Sequence, residues 1–94
     1  MQHRIPKQAA GLDFKTQESG LIINDPNADR VHYLNPTAGL VLTLCNGRNS
    51  IHTIATLLRK QFGLLDDPED DVTEIIAEFI EEGLVEYVDV QSDE

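Results

Sequence analysis

The chain holds a single cysteine, Cys45, which excludes an intramolecular disulfide and a metal site built from several cysteines. A reducing compartment is the natural setting for such a sequence. No apolar run approaches the roughly 18 residues of a transmembrane helix. The opening Met-Gln-His-Arg-Ile-Pro-Lys-Gln lacks the apolar stretch of a secretory signal. The expected location is therefore the cytosol, without membrane attachment. Lysine and arginine are absent after Lys60. Seven cations against four acids leave the first sixty residues at +3. Thirteen acids and no cation put the remainder at −13. A field this lopsided repels nucleic acid and anionic membrane, and it suits a basic peptide or a basic patch on an enzyme. The plainer explanation is a solvated acidic face that aids solubility.

Chemistry-bearing patterns are also missing. His3, His32 and His52 are scattered, and neither H-x-x-x-H nor C-x-x-C occurs. No metal or other cofactor is expected. Cys45 falls on an apolar helix face, where a thiolate is suppressed, so it reads as core rather than nucleophile. The acids crowd one exposed helix, whereas a catalytic acid needs a pocket that shifts its pKa. Asn46-Gly-Arg-Asn49 is a turn without the length or lysine of a phosphate loop. No serine stands in a carrier-protein pattern. The chain reads as a binding module and not as an enzyme. Its 94 residues permit one domain with one modest core, leaving little room for a deep catalytic cleft.

The residues that are present order themselves clearly. Residues 1–11 are polar and unpatterned and read as a loose arm. A domain follows over 12–90, and 91–94 is expected to fray. Leu12-Asp-Phe-Lys15 alternates and begins a strand. Leu21-Ile-Ile-Asn24 and Arg30-Val-His-Tyr-Leu34 are strands joined by the turn chemistry of Asp25-Pro-Asn-Ala-Asp29. Asn35 is an N-cap and Pro36 a first helical residue. Ala38, Val41, Leu42 and Cys45 then recur at helical spacing, with Leu40 and Leu44 widening the face. Asn46-Gly47 ends this helix at about residue 45.

Ser50 caps a second helix to about Phe62, with Ile51, Ile54, Leu57, Leu58 and Phe62 as its apolar face. Arg59 and Lys60 suit its C-terminal dipole, and Gly63 follows as the stop. A third helix spans 68–82, opening on Pro68 and acids. Val72, Ile75, Ile76, Phe79 and Ile80 form its stripe. Gly83 ends it, and Leu84 to Asp89 is an optional last strand. The fold class is α+β: a small winged-helix-like domain, with a three-stranded antiparallel sheet followed by three helices.

Four pieces in order, Leu34-Asn-Pro-Thr-Ala38, Leu42-Thr-Leu-Cys-Asn-Gly47, Asp71-Val72 with its apolar helix, and Gly83-Leu-Val85, resemble the PqqD-like family. The likeness covers about Gly20 to Val88. It implies a RiPP recognition element, a domain that binds the leader segment of a ribosomally made precursor peptide and presents it to a modifying enzyme. The enzyme could be a radical SAM maturase, a cyclodehydratase or a leader peptidase. The resemblance does not imply the quinone cofactor pathway itself, because residues 21–34 read more like standalone recognition proteins of other peptide pathways.

In that family the leader adds a strand beside the strand matching Arg30 to Leu34, in a groove walled by the third helix. An exposed strand edge invites such pairing, and side-chain pockets supply selection. The implied peptide-binding residues are Arg30, Val31, His32, Tyr33, Leu34, Asp71, Ile75, Glu78 and Phe79. Asp71, Glu78 and Glu82 flank Ile75 and would form a charged lip, unless that flank faces only solvent. His32 reads most plainly as a surface strand residue. Two rivals remain. One is an adaptor subunit that binds a folded protein. The other is a winged-helix DNA regulator, whose recognition helix would carry nine acids and no cation between Asp66 and Glu82, the reverse of what phosphate requires.

Overall fold

The computed structural model describes residues 2–91. Eight elements follow in order: β1 Gln2–Gln8, β2 Asp13–Gln17, β3 Gly20–Asp25, β4 Arg30–Leu34, α1 Pro36–Leu44, α2 Ile51–Phe62, α3 Glu69–Glu81 and β5 Val85–Gln91. Strands β2, β3 and β4 form an antiparallel sheet in that order, so β4 is an edge. The register pairs Ile23 with His32 and Leu21 with Leu34 across β3 and β4. The α+β class, the three-stranded sheet and the three helices agree with the sequence reading.

The helix ends are set by the residues the sequence singled out. The Asn35 side chain accepts the Ala38 N–H at 2.8 Å, and Pro36 occupies the first helical position. The Ser50 hydroxyl accepts the Thr53 N–H at 3.1 Å. Gly63 closes α2 in the left-handed conformation. Among the described residues no side chain caps α3; its first turn carries Glu69, Asp70 and Asp71, which suit the positive end of the helix dipole.

One core lies between the sheet and the helices. Ile23 from β3, Val41 and Leu42 from α1 with Cys45 at its end, Ile54 from α2, Val72 and Ile76 from α3, and Leu84 are fully buried. Two expected core residues of α2 behave otherwise: Leu57 and Phe62 are exposed. Ile54, Ala55 and Leu58 fill the interior in their place. On α3, Val72, Ile76 and Phe79 are buried, while Ile75 and Ile80 are only partly covered.

The loose arm is corrected. Residues 2–8 form β1, which pairs antiparallel with β5 from Gln2↔Gln91 to Gln8↔Val85. Pro6 is buried, and its carbonyl accepts the Gly47 N–H at 3.0 Å. Gln8 donates its backbone N–H to the Cys45 carbonyl and its side-chain amide to the Leu42 carbonyl, both at 2.9 Å. The first bond satisfies a carbonyl just past α1 that the helix leaves unpaired, and the second adds to the Cys45 N–H that the Leu42 carbonyl already accepts at 3.0 Å. Arg4 stacks over the Tyr87 ring at 4.8 Å across the same ribbon. Gln91, expected to fray, ends β5, and residues 92–94 lie outside the described part. Among the described residues no helix is long and apolar enough to cross a membrane.

Candidate functional site

Strand β4 leaves the sheet directly into α1, because Asn35 and Pro36 start the helix one residue after Leu34. Helix α3 crosses alongside. Between them runs a groove of about 510 Å³. One wall is β4 from Val31 to Leu34, the other is Ile75, Glu78 and Phe79 of α3 with Glu82 at its end, and the first turn of α1 closes one end. Among the described residues the outer edge of β4 has no strand beside it, so alternate residues direct N–H and C=O groups outward.

Of the nine residues singled out in sequence, seven line this groove: Val31, His32, Tyr33, Leu34, Ile75, Glu78 and Phe79. Arg30 borders a smaller recess at its end, shared with Val31, His32 and Glu82. Asp71 is not brought in. It lines a neighbouring cleft between α2 and α3 instead. Asn35, Thr37 and Ala38 line the groove without having been singled out. The signal for them was the cap itself: a helix that starts one residue after an edge strand sets its first turn beside the end of that strand.

Alternation along β4 decides what each side chain does. Val31 and Tyr33 are exposed, Tyr33 at 77 %. His32 points the other way, alongside the fully buried Ile23. Its side chain is 11 % exposed, so the plain reading of His32 as a surface residue is corrected. Its Nδ1 stands 3.7 Å from Oε1 of Glu82, and its Nε2 is buried without a partner among the described residues. The floor is thus apolar, from Leu34, Ile75 and Phe79, and the α3 rim carries the negative charge of Glu78 and Glu82.

The loop between α2 and α3 is pinned beside this site. Asp67 accepts from Arg59 Nε at 2.6 Å and from the Thr56 hydroxyl at 3.1 Å. The hydrogen bond from Arg59, helped by Thr56, holds the Asp67 carboxyl below the ordinary carboxylate range. Cys45 is buried among apolar neighbours, and burial pushes its thiol up to about 12. Such a group supplies no nucleophile near neutral pH. Among the described residues no three His, Cys, Asp or Glu side chains gather as metal ligands would.

The fold and its parts are shared with known proteins. No curated protein matches the chain. A solved structure described as lasso peptide synthetase B1 complexed with the leader peptide superimposes with a TM-score of 0.71 at 18 % identity. The match covers 86 % of this chain and 96 % of that one. The family model for coenzyme PQQ synthesis protein D matches residues 20–85, from the first residue of β3 to the first of β5. That span is well over half of the sequence, and the chain belongs to the coenzyme PQQ synthesis protein D family.

Proposed function

We propose that the chain binds the leader segment of a ribosomally made precursor peptide as an added strand along β4 and presents it to a peptide-modifying enzyme. One observation carries the reading: the unpaired edge of β4 forms one wall of a groove whose other wall is α3. Backbone bonds along such an edge give affinity with little regard to sequence, and the side chains around it give selection. Val31 and Tyr33 pack on the peptide from the exposed face of the sheet. Ile75 and Phe79 form the floor. Glu78 and Glu82 favour lysine or arginine in the peptide. The structural relative's leader complex supports the same use of the fold. The chain supplies recognition; chemistry on the peptide belongs to a separate maturase of radical SAM, cyclodehydratase or peptidase type.

The test is a titration of the 94-residue chain with a fluorescent candidate leader and, separately, with a fluorescent DNA duplex. The leader is expected to bind at low micromolar or tighter affinity and the duplex not to respond. Amide shifts on adding leader should concentrate on residues 30–34 and 75–82. Salt-sensitive duplex binding with no response to peptide would sink the reading, as would shifts confined to the face of α2.

A further inference from the structure

The groove does not stop at Ile75. Thr37 and Ile75 also line a second cleft, of about 250 Å³, between the end of α2 and the start of α3. Its other walls include Leu58, Phe62, Leu64 and Val72. The lining is apolar apart from Thr37 and the carboxylate of Asp71 at one side. Phe62 is 47 % exposed and Leu64 41 %, so two of the apolar walls stand open to water. Large apolar groups left open around a concavity mark a place where something docks.

The cleft is also pre-formed. Leu64 follows Gly63, the left-handed stop of α2, and its N–H donates to the Arg59 carbonyl at 3.0 Å. Asp67, held by Arg59 and Thr56, anchors the rest of the loop. A wall fixed before binding costs less order when a ligand arrives.

We infer that this cleft takes one large apolar side chain, aliphatic or aromatic, from the same peptide that adds to β4. The inference rests on the groove reading above. Continuity selects the occupant: a peptide leaving β4 past Leu34 meets Thr37 and then Ile75, which are the threshold of the cleft. Size agrees. A dry protein cavity of about 150 Å³ accommodates a benzene molecule, so 250 Å³ suits a single large side chain and not a helix.

The spacing follows from α3. His32 lies against Glu82, and α3 lends the cleft Asp71, Val72 and Ile75. These lie about nine helical positions from Glu82 on average, about 13 Å at 1.5 Å each. An extended peptide covers it in about four residues. The recognised segment is therefore a strand with basic character opposite Glu78 and Glu82, and an apolar anchor about four residues from the position opposite His32.

The probe is a displayed library of random 15-residue peptides selected on the full chain. Enriched peptides are expected to share a large apolar residue at a fixed offset from a basic one. Replacing that residue by alanine should weaken binding about tenfold to hundredfold. Leu64→Glu should weaken the parent peptide at least tenfold and leave the alanine peptide nearly unchanged. Phe62→Ala serves as a second variant, and circular dichroism checks that both fold. If selected peptides tolerate Leu64→Glu and Phe62→Ala yet lose binding on Glu82→Lys, the anchor inference is overturned and the groove reading stands. Failure to select any peptide, or amide shifts away from β4, overturns both. Self-association of the chain that Leu64→Glu abolishes would assign the cleft to a second copy and overturn the inference.

Discussion

Gly20 joins β2 to β3 at φ +141°, and a Cβ built there would overlap the carbonyl oxygen of Leu34, the last residue of β4. Gly20→Ala therefore carries two penalties. The backbone conformation is one that essentially only glycine adopts, at about 1–3 kcal/mol. Relieving the overlap means moving main chain at the β4–α1 junction, which resembles overpacking at about 1–3 kcal/mol. The sum is about 2–6 kcal/mol. Gly63 is the control: its φ is +66°, and nothing lies within 4 Å of an added Cβ. Gly63→Ala should cost about 1 kcal/mol, the left-handed penalty less the entropy removed from the unfolded chain.

For a domain of this size about 1 kcal/mol shifts Tm by 4–8 °C, so Gly20→Ala should lose about 8 °C or more and Gly63→Ala at most about 8 °C. Urea unfolding followed by circular dichroism, with equal m values, gives the two free energies. Equal costs for the two variants would refute the close approach of β3 to the end of β4. Because Leu34 lines the groove, Gly20→Ala should also weaken peptide binding under conditions where the variant remains folded.

Three further outcomes are expected. Cys45, with its thiol near 12, should resist a thiol reagent at pH 8 in the native state and react at once in guanidinium; rapid native labelling would contradict its burial. Its raised value also means that the unfolded chain ionises first, so stability should fall above about pH 8.5 by up to about 1.4 kcal/mol per pH unit. The depressed carboxyl of Asp67 stabilises the fold above the ordinary carboxylate range, and that contribution fades as pH falls through the lowered folded value. Asp67→Asn should thus be less stable than the parent at pH 7 and converge with it in acid; parallel curves would deny the Arg59 bond its role. Alternate N–H groups of β4 face β3 or the open edge, so of His32→Pro and Tyr33→Pro one should disturb the fold and the other should leave the fold and lose about fivefold to tenfold in peptide affinity. Two folded, fully binding variants would rule out strand addition at β4.

What the sequence made legible was local. Asn35, Pro36, Ser50 and Gly63 act within one turn of themselves, so their roles could be read without knowing the fold. The apolar spacing of α3 likewise identified Val72, Ile76 and Phe79. Strand β1 was not legible. Gln2-His-Arg-Ile-Pro-Lys-Gln8 has no useful alternation and contains a proline, and it is a strand because β5 and the turn after α1 offer it partners. Tertiary context overrode propensity there. The site divided in the same way. Residues 31–34 were placed by being one strand, whereas a helix rotates by 100° per residue and its sequence does not say which flank meets the sheet. Ile75 and Glu78 turned toward β4, and Asp71, a turn away, faced α2. His32 defeated expectation because one polar residue in a short strand gives no sign of which face is covered.

The ribbon of β1 and β5 has a consequence in time. It joins the first described residues to the last, and contacts so distant in sequence form slowly because a long loop must close first. Until β5 exists, β1 has only the turn after α1 as a partner, and Gln8 has no ladder to hold it against the Leu42 and Cys45 carbonyls. Helix α1 then lacks its far anchor while its near end already borders the groove. A chain still being synthesised would therefore hold an unfinished groove. The open edge of β4, where strand addition is proposed, reaches final form only after the acidic C-terminal third has been made and folded back on the beginning.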